Sequence, residues 1–241
     1  MVLAAAALHC ACVHAAHPLQ TEDTGTQGEG NIELENGFDW SRAGPNRDFA
    51  YQPQVSYGLS PAVDLIVQPS WLRHRDDAGR LSDWGDTNLD MKWRFFGRAP
   101  LSLAVRAGAT LATSGSGLGN PHGKQTAHAL LAATVDTAPL TFHGNVGFVQ
   151  NPAGTGQRRT QTQLSAAVMW ALSETLILTA DGSTGTSADP SRKAWPSTLL
   201  AGAIYTVRPG LDVDIGWQSS VTATSPRKRD VMAGITYRFA P

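Results

Sequence analysis

Cysteine is all but missing from this chain: of 241 residues only Cys10 and Cys12 are cysteine, and both fall within the first sixteen. Downstream of them no disulfide and no thiolate metal site can form. Charge is scarce as well, at 16% of residues with a formal net charge of −1, so the cationic excess that drives nucleic-acid binding is absent. After residue 16 no stretch approaches the roughly 20 apolar residues of a membrane-spanning helix. No segment carries a helical period of convincing length either. Yet 41% of the residues are hydrophobic, too many for wholesale disorder. These absences exclude a nucleic-acid binder, a helical membrane protein and a disulfide scaffold. They leave open a protein that crosses a membrane by strands.

Residues 1–16 (MVLAAAALHCACVHAA) hold no charge and end in small residues. They read as the apolar core and cleavage region of an export signal, cut near Ala15 or Ala16, with the missing positive n-region placing the true start upstream of Met1. The alternative is a frayed N-terminal helix. Leu8-His9-Cys10 lacks the small residues that precede a lipidated cysteine, so no lipoprotein is expected. Residues 17–30 are polar and too long for a turn. They either enter the interior of the following domain as a plug or hang in the periplasm.

From residue 31 onward the sequence alternates with a period of two. Residues 31–40 set Ile32, Leu34, Phe38 and Trp40 against Glu33, Glu35 and Asp39; residues 88–95 set Leu89, Met91, Trp93 and Phe95 against Asn88, Asp90, Lys92 and Arg94. Residues 211–218 and 230–239 repeat the pattern, the last with Val231, Ala233, Ile235, Tyr237 and Phe239 on one face. Successive strand side chains point to opposite faces, so each segment is a two-faced strand. Weaker matches cover residues 47–57, 62–73, 101–113, 126–136, 140–150, 160–172, 175–183 and 197–207. The total is about twelve strands of about ten residues, the length that crosses a bilayer at a tilt. The connections alternate between tight turns, such as Ala138-Pro139, and long polar loops at residues 41–46, 74–85, 114–125, 151–159, 184–196 and 219–229. This predicts an all-β, up-and-down antiparallel transmembrane barrel spanning residues 31–241, with short periplasmic turns and longer extracellular loops. Trp40, Tyr57, Trp71, Phe95, Trp170, Tyr205, Trp217 and Tyr237 sit near strand ends on the apolar face, where two aromatic belts belong. A soluble sandwich or a ligand-burying barrel accounts for single strands, but not for the export signal, loop asymmetry and belts together.

The segment His17-Pro18-Leu19-Gln20-Thr21-Glu22-Asp23-Thr24-Gly25-Thr26-Gln27-Gly28-Glu29-Gly30-Asn31 resembles the N-terminal motif of the phenol-degradation (MetA-pathway) outer-membrane proteins, often labelled transporters. Gly85-Asp86-Thr87-Asn88-Leu89-Asp90-Met91-Lys92-Trp93-Arg94-Phe95 is similar to that family's second recurrent stretch, and Tyr57-Gly58-Leu59-Ser60 and Ile235-Thr236-Tyr237-Arg238-Phe239 fit as well. The resemblance implies a monomeric or loosely assembled barrel that passes small, often aromatic or apolar, compounds. It carries over no site residues. The final strand also resembles the C-terminal signal read by the barrel-assembly machinery, although Ala240-Pro241 follow Phe239.

Candidate lumen-facing residues are Glu33, Glu35, Asp64, Asp90, Lys92, Arg94, Arg106 and Arg238. They form either a selectivity patch for permeating solutes or a structural ion-pair ladder that fills a narrow interior. Glu33 and Glu35 are expected to face Arg238 and Asp230 across the closure seam, with one glutamate pairing with Arg238. Catalysis is not expected. No Gly-x-Ser-x-Gly elbow lies on a strand-to-helix turn, residues 115–120 lack the Lys-Ser/Thr of a phosphate loop, and His122 and His128 are not spaced as metal ligands. The sequence therefore predicts an outer-membrane channel or transporter for passive passage of small molecules. The alternatives are a structural or adhesive barrel with a closed lumen and, further off, a lipid-active enzyme. The expected partners are outer-membrane lipids, the assembly machinery and small solutes, with no cofactor, metal or nucleic acid, and a monomer rather than a trimer.

Overall fold

The computed structural model describes residues 17–115, 118, 123–222 and 227–239. The segment read as an export signal, residues 1–16, lies outside them, as do His122 and most of loop 115–120. Among the described residues every regular element is a strand: β1 (Ile32–Ala43), β2 (Asn46–Ser60), β3 (Val63–Gln68), β4 (Trp71–Asp76), β5 (Gly79–Trp84), β6 (Thr87–Arg98), β7 (Leu101–Leu111), β8 (Thr126–Thr137), β9 (Leu140–Gln150), β10 (Thr160–Ala171), β11 (Leu176–Gly185), β12 (Ser197–Arg208), β13 (Leu211–Ser220) and β14 (Lys228–Phe239).

Each strand pairs antiparallel with its neighbours, and β1 pairs with both β2 and β14, which closes the sheet. β3 and β4 lie end to end along β2, opposite residues 55–60 and 47–51, while β6 and β5 follow them on the next position. Fourteen segments therefore make a twelve-strand barrel. Closure matters physically because an open edge would leave backbone N–H and C=O groups without partners.

The two faces are inverted relative to a water-soluble protein. Ile215, Trp93 and Leu199 are 59%, 54% and 56% exposed, whereas Asp64, Thr236 and Lys92 are 1%, 1% and 5% exposed. An apolar outside and a polar inside is the arrangement that suits lipid around the wall and water within it. At one end the links are as short as Pro61-Ala62, Ala99-Pro100, Ala138-Pro139 and Pro209-Gly210. Proline suits these turns, since its fixed φ ends a strand and it has no donor to leave unpaired.

Two loops expected from the sequence are not loops. Residues 41–46 shrink to Gly44-Pro45, because β1 and β2 stay paired up to Ala43 and Asn46. Residues 74–85 contain the β4–β5 hairpin, whose Asp77-Ala78 turn is held by Asp76 Oδ1 accepting from the Ala78 and Gly79 amides at 2.8 and 3.0 Å. Along residues 73–83 polar side chains fall on both faces, so the alternation that marks the wall is gone. Pro69 splits β3 from β4 for a related reason: it cannot donate to the ladder.

Candidate functional site: the barrel lumen

The inward residues of the wall do not meet one another across open space; they meet the N-terminal segment. His17 lies between β13 and β1, with Nδ1 2.8 Å from Asp214 and Nε2 3.6 Å from Asp39. The Gln20 and Thr21 amides both donate to Asp181 on β11 at 2.8 Å. Asn145 on β9 brackets Glu22, accepting from its amide at 2.7 Å and donating to its carbonyl at 2.8 Å. Thr24 reaches Ser102 on β7 at 2.5 Å and Thr134 on β8 at 3.2 Å. The Gln27 amide donates to both carboxylate oxygens of Asp64 at 3.1 Å, and its side chain donates to Glu33 at 2.6 Å. The segment thus touches most of the circumference from inside.

Its departure from the lumen depends on glycine. Gly28 and Gly30 have φ of 81° and 79°, which favours glycine. The Gly30 amide donates to the Gly58 carbonyl at 2.9 Å, and the Gly58 amide to the Asn31 carbonyl at 3.0 Å. A Cβ on Gly58 would run into the backbone of Gly28.

At the centre is a charge cluster. Lys92 donates to Glu22 Oε1 at 2.8 Å and to Asp23 Oδ1 at 2.6 Å; Arg106 donates to Glu22 Oε2 at 2.6 Å and through Nε to Asp90 at 2.8 Å. His128 adds a 2.6 Å contact to the other Asp90 oxygen. Burial alone would raise the Glu22 carboxyl, but Lys92 and Arg106 hold it below its ordinary value. Charge-assisted bonds this short are the strong kind, and breaking one buried partner is costly.

Seven of the eight candidate residues join this network. Arg238 pairs with Glu33 at 2.7 Å, directly opposite it in register, and donates to Asp212 at 2.5 Å. Asp64, Asp90, Lys92 and Arg106 take part as described. Glu35 is placed differently from the expectation: it lies opposite Thr236 and accepts from Gln54 at 2.5 Å, while Gln54 reaches Arg106 at 3.4 Å. Asp230 lies opposite Ser41, far along the seam from Glu35, because the register pairs position 33 with 238. Arg94 stands apart, bonded to the Pro61 carbonyl at 3.1 Å near the short-turn end. His17, Glu22, Asp23, Asn145, Asp181 and Asp214 were not signalled by the sequence reading. The one available hint was the adjacent acidic pair Glu22-Asp23 in a segment without Lys or Arg. With the segment in place, the gap between residues 22–27 and the wall at Glu35, Gln54 and Asp64 is about 20 Å³, room for roughly one water.

His17 makes the arrangement sensitive to pH. Burial lowers its pKa, but the hydrogen bonds and charges of Asp214 and Asp39 outweigh it and raise the imidazole from 6.5 to about 9. A raised folded-state value means that the stabilisation is complete below about pH 6.5 and is lost as pH climbs through about 9. Its full size is about 3 kcal/mol. With the intrinsic base catalysis divided out, protection of the Leu19, Gln20 and Thr21 amides is therefore expected to fall between pH 7 and 9.5 in the native chain and to be flat over that range in His17→Gln. Identical profiles for the two proteins would remove His17 as the anchor.

No family model matches this sequence, and no curated protein does. Solved structures do share its fold. A COG4313 outer membrane channel from Pseudomonas putida F1 superposes with a TM-score of 0.68 at 10% identity, over 90% of this chain and 98% of that one. The KdgM porin gives 0.63 at 8% identity, over 86% and 99%, and the NanC porin 0.60 at 8%, over 85% and 98%. This chain has the fold of a closed, twelve-strand, outer-membrane type barrel.

Proposed function

We propose that the protein is an outer-membrane channel for passive passage of small molecules, with residues 17–30 lodged in the lumen as a resident plug. The carrying observation is the inverted surface: a closed barrel with an apolar, aromatic-belted outside and a charged inside. The structural neighbours called porins or channels support this reading, and one of them, KdgM, is described in complex with oligogalacturonate. In this chain the solute class we favour is small aromatic or apolar compounds, from the resemblance of residues 17–31 and 85–95 to the phenol-degradation family. The tight turns face the periplasm, a single barrel encloses a complete lumen and acts as a monomer, and β14 is the strand read during insertion. The proposal assigns no reaction to the barrel. The inward histidines are engaged structurally, His128 with Asp90 and His143 with Thr134 and Met169.

The test is planar-bilayer recording of the refolded chain from His17 onward, followed by liposome swelling with neutral and charged aromatic solutes. Discrete openings and solute-dependent swelling are the expected result. The second reading, a structural barrel with a permanently closed lumen, is favoured by the hydrogen bonds that residues 17–27 make around the inner wall. It would be the better account if the folded protein and every plug variant stayed silent in both assays.

A further inference from the structure

The outer wall carries a charge pattern that transport does not use. In an antiparallel sheet directly opposed residues share a face. The registers Arg229↔Arg42, Arg42↔Arg47, Arg47↔Arg75 and Arg75↔Arg80 therefore string five arginines along one rung of β14, β1, β2, β4 and β5. The same parity puts Trp40, exposed at 45%, on that face, so the rung looks outward. Arg73 belongs to the next rung, its guanidinium 5.3 Å above the Phe49 ring.

The level of the rung is as informative as its charge. Two residues nearer the barrel middle run Trp217, Val231, Trp40 and Phe49, and a further step brings Trp71 opposite Trp84. An aromatic row of this kind marks the boundary between hydrocarbon and headgroups. The arginines lie about 7 Å beyond it along the strands, at headgroup height, and the rung spans about 20 Å across five strands. The arginines, with Arg227 beside them, line an open pocket of about 910 Å³. Asp48 touches the same pocket but is on the opposite parity and is bound to His74 at 2.5 Å. Among the described residues no carboxylate forms an ion pair with any arginine of the rung.

Like charges directly opposed in a sheet repel, so such a rung is costly unless something anionic covers it. Guanidinium is the group that grips phosphate in two-point fashion. We infer that this patch binds the phosphorylated head of a membrane lipid in the leaflet at the long-loop end, with the acyl chains lying against the aromatic row. The inference rests on the barrel spanning a membrane, but not on its conducting anything.

The experiment uses the refolded protein in phosphatidylcholine nanodiscs containing a minor share of a bisphosphorylated disaccharide lipid, or of the same lipid with both phosphates removed. Lipids retained after extraction into mild detergent are counted by native mass spectrometry. Retention of the phosphorylated lipid over the dephosphorylated one by at least roughly tenfold is expected. Arg42→Gln/Arg47→Gln/Arg75→Gln, shown to be folded by its shifted gel band without heating, should lower that retention by roughly a hundredfold, about fivefold per arginine. Millimolar inorganic phosphate should not displace the lipid. Equal retention of both lipids by the native chain overturns the inference whether or not the variant folds, as does displacement by inorganic phosphate, which would indicate a free-anion site. A barrel that retains the lipid yet is silent in bilayers would overturn the channel reading and leave this one standing.

Discussion

Deleting residues 17–27 is expected to raise single-channel conductance by roughly tenfold or more, because the segment, and not the wall, closes the lumen. With the segment present, its contacts run from β13 and β11 through β9, β8 and β7 to β6 and β3, and the gap beside residues 22–27 is about 20 Å³. Without it, the inward positions of twelve strands face a continuous path. The opened path should also prefer cations. The deletion removes His17, Glu22 and Asp23, but the wall keeps Glu33, Glu35, Asp39, Asp64, Asp90, Asp181, Asp212 and Asp214 against Lys92, Arg94, Arg106 and Arg238. Rings of carboxylate lower the energy of a passing cation and raise that of an anion. Reversal potentials under a salt gradient measure this directly. The barrel itself should survive the deletion, since the strand ladder from β1 to β14 closes without the segment. A deletion protein that is folded but silent would mean that the wall's own side chains collapse to seal the interior, and the structural-barrel reading would then prevail.

What the sequence made legible was whatever depends on near neighbours in the chain. A two-residue period follows from strand geometry, so the wall could be read from segments such as residues 88–95 and 211–218. Both ends of the barrel lie on the tight-turn side, which requires an even strand number. The β4–β5 hairpin was missed because Arg75, Asp76, Gly79 and Arg80 put polar or small residues at both parities and carry no alternation. The closure of the lumen by residues 17–30 stayed one of two alternatives for a different reason. Glu22 meets Lys92 and Arg106 across separations of 70 and 84 residues, and nothing local in residues 17–30 distinguishes a chain that fills a cavity from one that hangs in solvent. The Glu33–Arg238 pair was accessible because the seam register is fixed by closure, whereas Glu35 was assigned a partner without its neighbour Gln54 on β2 being weighed.

The arginine rung shows why outward parity has to be examined strand by strand. Arg42, Arg47, Arg75, Arg80 and Arg229 are separated in sequence by as much as most of the chain, and each alone is an unremarked surface charge. Only the registers align them on one level, next to the aromatic row that fixes their depth. Polar lining and polar rim thus come from the same alternation, read on opposite faces at different heights.

Lys92 is the residue on which retention of the plug depends most, and Lys92→Met is expected to open the lumen nearly as far as the deletion does. The ammonium is 5% exposed and carries Glu22 at 2.8 Å and Asp23 at 2.6 Å, so methionine leaves Asp23 buried without its cation and Glu22 with Arg106 alone. Breaking a buried pair in this way costs about 3–5 kcal/mol. The segment can avoid that cost by leaving for solvent, where its carboxylates hydrate, so the loss appears as expulsion and not as unfolding of the barrel. Shifting the closed–open balance by that amount corresponds to a factor of roughly 2 × 10² to 5 × 10³. Protease should then cut between residues 17 and 30 at a rate raised by a similar factor, with no change in the denaturant midpoint of the strands. Removing the carboxylates that lose Lys92 as well, in Glu22→Gln/Asp23→Asn/Lys92→Met, should restore both protection and low conductance, because neutral amides stay buried beside methionine at lower cost than carboxylates. A single Lys92→Met protein that stays closed and protected would show that Asp181, Asn145 and the Gly28–Gly58 contact hold the segment without the charge cluster.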